Sequence, residues 1–81
     1  MAYRVLLADD HTIVRDGLRA LLDGMDAVEI VGEAGDGDAA IRLTRELSPD
    51  IVIMDVSMPG LSGIEATKAI LESAPKTKVV A

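Results

Sequence analysis

Asp55 follows an unbroken apolar run, Ile51-Val52-Ile53-Met54, and precedes a turn, Ser57-Met58-Pro59-Gly60. A run this short and rich in β-branched residues predicts a fully buried strand. A carboxylate at the carboxyl end of such a strand lies where an open α/β sheet forms its ligand crevice. Asp9-Asp10 closes the first apolar run in the same way. If the two strands are parallel neighbours, all three carboxylates meet at one edge of the sheet. Like charges that close repel, and a divalent cation relieves them. Such a group suits Mg²⁺, which takes oxygen ligands in an octahedron and keeps several waters. Open water positions leave room for a phosphoryl oxygen. Asp55 could itself be a nucleophile, since carboxylates form aspartyl-phosphate intermediates.

The elements that must position these residues alternate in period. Tyr3 to Ala8 reads as a strand. His11 to Gly24 reads as a helix with Val14, Leu18, Leu21, Leu22 and Met25 on one face. Asp10 is the expected cap at its start and Gly24 its end. Val28 to Ala34 is a second strand, mixed in polarity and expected at an edge. Asp36 or Asp38 can cap the next helix, which carries Ala40, Leu43 and Leu47 before Ser48-Pro49-Asp50 stops it. Ile51 to Met54 is the third strand. Ser62-Gly63-Ile64-Glu65 has capping-box spacing, and the helix it opens places Ile64, Thr67, Leu71 and Ala74 on one face until Pro75. A fourth strand begins at Lys78. The order β-α-β-α-β-α-β predicts a parallel sheet with helices on both faces.

Composition excludes other classes. The chain has 81 residues, 49% of them apolar, so it forms one small domain with an aliphatic core. Tyr3 is the only aromatic and the formal net charge is −6, which opposes base stacking and binding to nucleic acid or anionic membrane. There is no cysteine, no apolar stretch near a membrane span and no signal-peptide layout, so the expected compartment is the cytoplasm.

Asp9-Asp10, Asp55, Met58-Pro59 and Gly63, at the D-x-x-M-P-x-x-x-G spacing, resemble the receiver domain of two-component response regulators. Leu7-Ala8-Asp9-Asp10-His11 with Val14-Arg15-Asp16-Gly17-Leu18 is similar to the LuxR/FixJ/NarL-type branch, whose members end in a helix-turn-helix DNA-binding domain. The resemblance runs from Tyr3 to Ala81. It implies a flavodoxin-like (CheY-like), doubly wound parallel sheet of strand order 2-1-3-4. By the same resemblance, Asp55 would accept a phosphoryl group from a phosphohistidine on a sensor histidine kinase. Asp10 would bind Mg²⁺ directly, Asp9 largely through water, and Ser57 through its backbone carbonyl. Met58, Pro59, Gly60 and Gly63 would shape the loop beside the acceptor. The family's Lys and its Ser/Thr switch residue fall beyond Ala81. Residues 1–81 are therefore expected to be the first two thirds of a receiver domain, without the output DNA-binding domain. The implied role is regulatory rather than that of a free-standing enzyme.

Other readings stand beside this one. A haloacid-dehalogenase-type phosphatase needs a second Asp two residues after its nucleophile, where this chain has Ser57. A flavodoxin binds phosphate with an uncharged Ser/Thr-rich loop, where this chain has Asp9-Asp10. A non-signalling fragment that folds, or self-associates through an exposed sheet edge or apolar helix face, is the third. His11 reads as a solvated residue of the first helical turn rather than a ligand. The Val14-Leu18-Leu21 stripe reads as core or interface. Lys76 and Lys78 precede the fourth strand, at the end of the sheet away from Asp55.

Overall fold

Strand β1 (Tyr3–Ala8) lies inside the sheet, with β2 (Val28–Ala34) on one side and β3 (Ile51–Met54) on the other. Strand β4 (Lys78–Val80) pairs with the outer side of β3, giving the parallel order β2-β1-β3-β4. Helices α1 (Thr12–Asp23), α2 (Gly37–Leu47) and α3 (Gly63–Ser73) make the crossovers. The computed structural model describes residues 2–55, 63–73 and 76–80. Ser57, Met58, Pro59, Gly60, Ser62, Ala74 and Pro75 lie outside them.

Alternation along the strands divides the packing between two faces. Leu6, Ala8, Val52 and Met54 join Ala34 with Ala40 of α2 and with Ala66 and Ile70 of α3 in one buried cluster. Val5 and Leu7 point the other way and are buried. Their register partners Ile51 and Ile53 are only half-buried. The expectation of a fully buried third strand thus holds for one face only. The reason is coverage: α2 and α3 pack on the first face, whereas α1 reaches chiefly β2 on the second.

In β2 the register with β1 slips by one residue, from Val5↔Ile30 to Leu6↔Gly32, leaving Val31 without a partner. Past the slip, Gly32 and Ala34 face the core. A Cβ at Gly32 would stand 3.0 Å from Leu47 Cδ1 and 3.2 Å from Leu6 Cδ1, so a larger residue there needs those side-chain ends to give by a few tenths of an ångström. Glu33 faces α1, where Arg15 pairs with it and Arg19 hydrogen-bonds to it.

Three local expectations change. Helix α1 starts after His11 rather than on an Asp10 cap, and the His11 side chain makes no capping bond. Asp9 does the local work instead, its Oδ1 accepting from the His11 backbone N–H at 2.8 Å. No residue of α1 is fully buried: Leu18 and Leu22 are half-buried, while Val14, Met25 and Leu21 (73% exposed) face solvent. The stripe runs oblique to the part of the sheet that α1 covers. Among the described side chains of α3, Ala66 and Ile70, one turn apart, are buried and Leu71 is exposed. The single step from Ile70 to Leu71 turns about 100° away from the core. Asp36, by contrast, caps α2 as expected, accepting from Ala39 N–H at 2.7 Å. Ser48 ends α2 in a left-handed conformation, φ 48°. No helix among the described residues is long and apolar enough to cross a membrane.

The amino ends of the strands are tied by Asp50 and Thr77. Asp50 N–H donates to the Arg4 carbonyl (2.8 Å), Arg4 N–H to Asp50 Oδ2 (2.8 Å), and Lys78 N–H to the Asp50 carbonyl (3.0 Å). Buried Thr77 donates its hydroxyl to the Pro49 carbonyl at 2.8 Å. Thr77→Val keeps the shape and strands that carbonyl, so it should cost about 1–3 kcal/mol. Urea melts would show a lower midpoint at unchanged slope; an unmoved midpoint would mean that this bond adds nothing.

Candidate functional site

At the opposite, carboxyl end of the sheet, the ladder continues one residue beyond the strands. Asp55 N–H donates to the Ala8 carbonyl at 2.8 Å, and Asp9 N–H donates to the Ala34 carbonyl at 3.0 Å. Each bond fixes a carboxylate-bearing Cα against the neighbouring strand. Asp9 and Asp55 are thus held by sheet backbone rather than by loop conformation. Asp9 is the most buried of them, its side chain 12% exposed; Asp10 and Asp55 are more open.

The side chains converge. Asp9, Asp10, His11 and Asp55 each offer one ligand atom, and these atoms all lie within 4.8 Å of one another. Asp10 Oδ1 is buried and has no hydrogen-bond partner. A buried carboxylate oxygen that accepts no hydrogen bond is costly unless a nearby positive charge, here protonated His11 at 3.0 Å or a metal cation, compensates it. The donor set is three carboxylates at one sheet edge, which matches the oxygen preference of Mg²⁺. The chain's own residues therefore fit a divalent cation.

Of the residues expected at the site, Asp9, Asp10 and Asp55 come together. Gly63 opens α3. Ser57, Met58, Pro59 and Gly60 fall outside the described residues. Lys78 pairs with Ile51, at the far end of β3 from Asp55.

His11 is the member that the sequence reading missed. Its ring is 63% exposed, as a solvated first-turn residue should be, yet it turns back onto the carboxylates. Nδ1 lies 3.1 Å from Asp9 Oδ1, 3.0 Å from Asp10 Oδ1 and 3.7 Å from Asp55 Oδ2. The hydrogen bond to Asp9, then the charge of Asp10, with a smaller effect of Asp55, raise its pKa above the usual imidazole value. The available signal was position: a residue just past a strand-ending Asp pair, at the first step of a helix, can fold over that pair.

Asp10→Asn removes one of the crowded charges. In EDTA at pH 8 it should raise the unfolding free energy by about 1 kcal/mol, the repulsion of two unit charges ~4 Å apart in water. Paired urea melts measure this. A variant no more stable than the parent would mean that the carboxylates do not strain the metal-free fold.

Comparison with known proteins agrees with this geometry. A family model described as "Response regulator receiver domain" matches residues 5–81. The response regulator GacA of Pseudomonas viridiflava is 49% identical over 78 residues, covering 96% of this chain and 36% of its own length. The transcriptional regulatory protein LiaR of Bacillus subtilis is 49% identical over 77 residues, again 36% of its length. A two-component response regulator of the LuxR family from Aurantimonas sp. SI85-9A1 superposes with a TM-score of 0.91 at 43% identity, over 98% of this chain and 56% of that one. The chain thus spans about a third of the length of the curated relatives it matches.

Proposed function

The chain belongs to the response regulator receiver domain family, and on that premise we propose that it is a phosphoryl-accepting signalling module whose acceptor is Asp55. Receiver domains bind Mg²⁺ at an acidic cluster and interact with histidine kinases and output domains. In this reading residues 1–81 carry the acceptor side of such a domain. Asp10 and Asp55 would hold the cation, Asp9 largely through water, and the Ser57 backbone carbonyl would be a further ligand. Bound there, Mg²⁺ neutralises charge on the transferring phosphoryl group.

A carboxylate oxygen of Asp55 attacks phosphorus in line, the P–N bond of a kinase phosphohistidine breaks, and its electron pair leaves with the imidazole. A carboxylate nucleophile needs no general base. The Asp55-to-Ala8 backbone bond keeps the attacking residue at a fixed height beside Asp9 and Asp10. That bond, with the convergence of ligand atoms within 4.8 Å, is the observation that carries the reading. The names of the relatives support transcriptional control through an output domain as the outcome.

The test is incubation with acetyl phosphate and Mg²⁺, read by intact mass. The parent chain should gain one phosphoryl group and Asp55→Asn none. An unmodified parent overturns the acceptor assignment for this chain.

One observation favours a second reading, self-association without phosphorylation. Ile13 is 86% exposed, and Leu21, Met25 and Val80 are each more than half exposed, on the α1 side of the sheet. Light scattering should then give a mass that rises with concentration, and Leu21→Glu should lower it. A monomer at every concentration removes this reading.

A further inference from the structure

We propose that His11 is a ligand, through Nδ1, of the cation that this cluster holds, and that it makes the cluster prefer imidazole-binding divalent cations such as Ni²⁺, Cu²⁺ and Zn²⁺ to Mg²⁺. The inference rests on the cation-binding reading of Asp9, Asp10 and Asp55 above. It concerns a residue outside that ligand set.

Spacing carries the argument. In an octahedron with metal–ligand bonds of about 2.1 Å, adjacent donors stand about 3.0 Å apart and opposite donors about 4.2 Å. His11 Nδ1 stands 3.0 Å from Asp10 Oδ1, 3.1 Å from Asp9 Oδ1 and 3.7 Å from Asp55 Oδ2. The distance to Asp10 is that of adjacent donors in one coordination sphere, the distance to Asp9 is close to it, and the distance to Asp55 falls between adjacent and opposite. Asp10 Oδ1 is buried, accepts no hydrogen bond and stands 3.0 Å from His11 Nδ1, so a cation that satisfies it lies within reach of the ring nitrogen. His11 needs no large rearrangement to bind. Its backbone N–H is already anchored on Asp9, and its exposed ring leaves the other nitrogen to water.

The chemistry sets the preference. Mg²⁺ is a hard ion that favours oxygen, and it gains little from an imidazole. Ni²⁺, Cu²⁺ and Zn²⁺ bind imidazole well, and affinity for a mixed N/O site rises along the first row to Cu²⁺. Three carboxylates alone suit Mg²⁺; three carboxylates with one imidazole suit the later metals. The ring also takes one coordination position that would otherwise hold water.

The chain contains a single histidine, so a tag-free preparation gives an unambiguous reading. Calorimetric titration at pH 8 would compare Ni²⁺ and Mg²⁺ on the parent, His11→Asn and Asp10→Asn. Asn is a favourable residue at the position before a helix, so His11→Asn should fold, and circular dichroism checks it. The expected result is tighter binding of Ni²⁺ than of Mg²⁺ by the parent. Ni²⁺ affinity should fall roughly tenfold or more in His11→Asn, with Mg²⁺ affinity unchanged or raised. Asp10→Asn should weaken both metals, which places them in one site. Pulsed EPR of bound Cu²⁺ should show modulation from the remote imidazole nitrogen, absent in His11→Asn. If Mg²⁺ binds, but Ni²⁺ affinity is equal in parent and variant and the nitrogen modulation is missing, the role of His11 is overturned and the carboxylate site stands. If neither metal binds the parent, both fail.

Discussion

Everything at the site depends on the parallel register between β1 and β3. That register brings Ala8 level with Met54, so the residues that follow, Asp9 and Asp55, emerge side by side. It is pinned at both ends: Asp50 exchanges backbone and carboxylate bonds with Arg4 below, and Asp55 donates to Ala8 above. A slip of one residue would turn Met54 and Val52 away from the core and separate the carboxylates together. Core packing and the site are thus set by the same ladder, and neither can change without the other.

The ladder holds in place what electrostatics would push apart. Carboxylates on mobile loops would relax away from one another into water. Here the Cα atoms of Asp9 and Asp55 are fixed by sheet hydrogen bonds, and Asp9 is also bound by the turn into α1. The repulsion stays as a standing demand for positive charge. His11 answers part of that demand when protonated, and a divalent cation answers it more fully. The rest of the molecule remains ordinary: a small aliphatic core on one face of the sheet and a looser, charge-paired contact between α1 and β2 on the other.

Much of this was legible in the residues. The strand and helix spans follow from periodicities that the tertiary fold does not override, and the acidic residues were recognisable because each directly ends an apolar run. What failed were statements about faces. Alternation reports which residues share a side, but not whether a helix covers that side, so the apolar run predicts Ile51 and Ile53 buried whereas they are half-open. The α1 stripe misled in the same way, since Leu21 and Leu22 are indistinguishable in composition and differ only in their angle to a sheet the sequence does not display. His11 was missed because its type and position suit solvent. Only the fold shows that its ring turns back over three carboxylates.

Val31 is one residue more than the β1–β2 ladder requires. Without it, Ile30 would still meet Val5 and Gly32 would still meet Leu6, and every neighbouring side chain would keep its face. Strand pairing therefore does not set the chain length at this point. Gly32 is held by the closeness of Leu47 and Leu6, whereas its predecessor is held by no pairing at all. Relatives differing by one residue in this strand would retain the same carboxylate geometry. An alignment that counted residues without allowing a gap here would place Glu33 in the core.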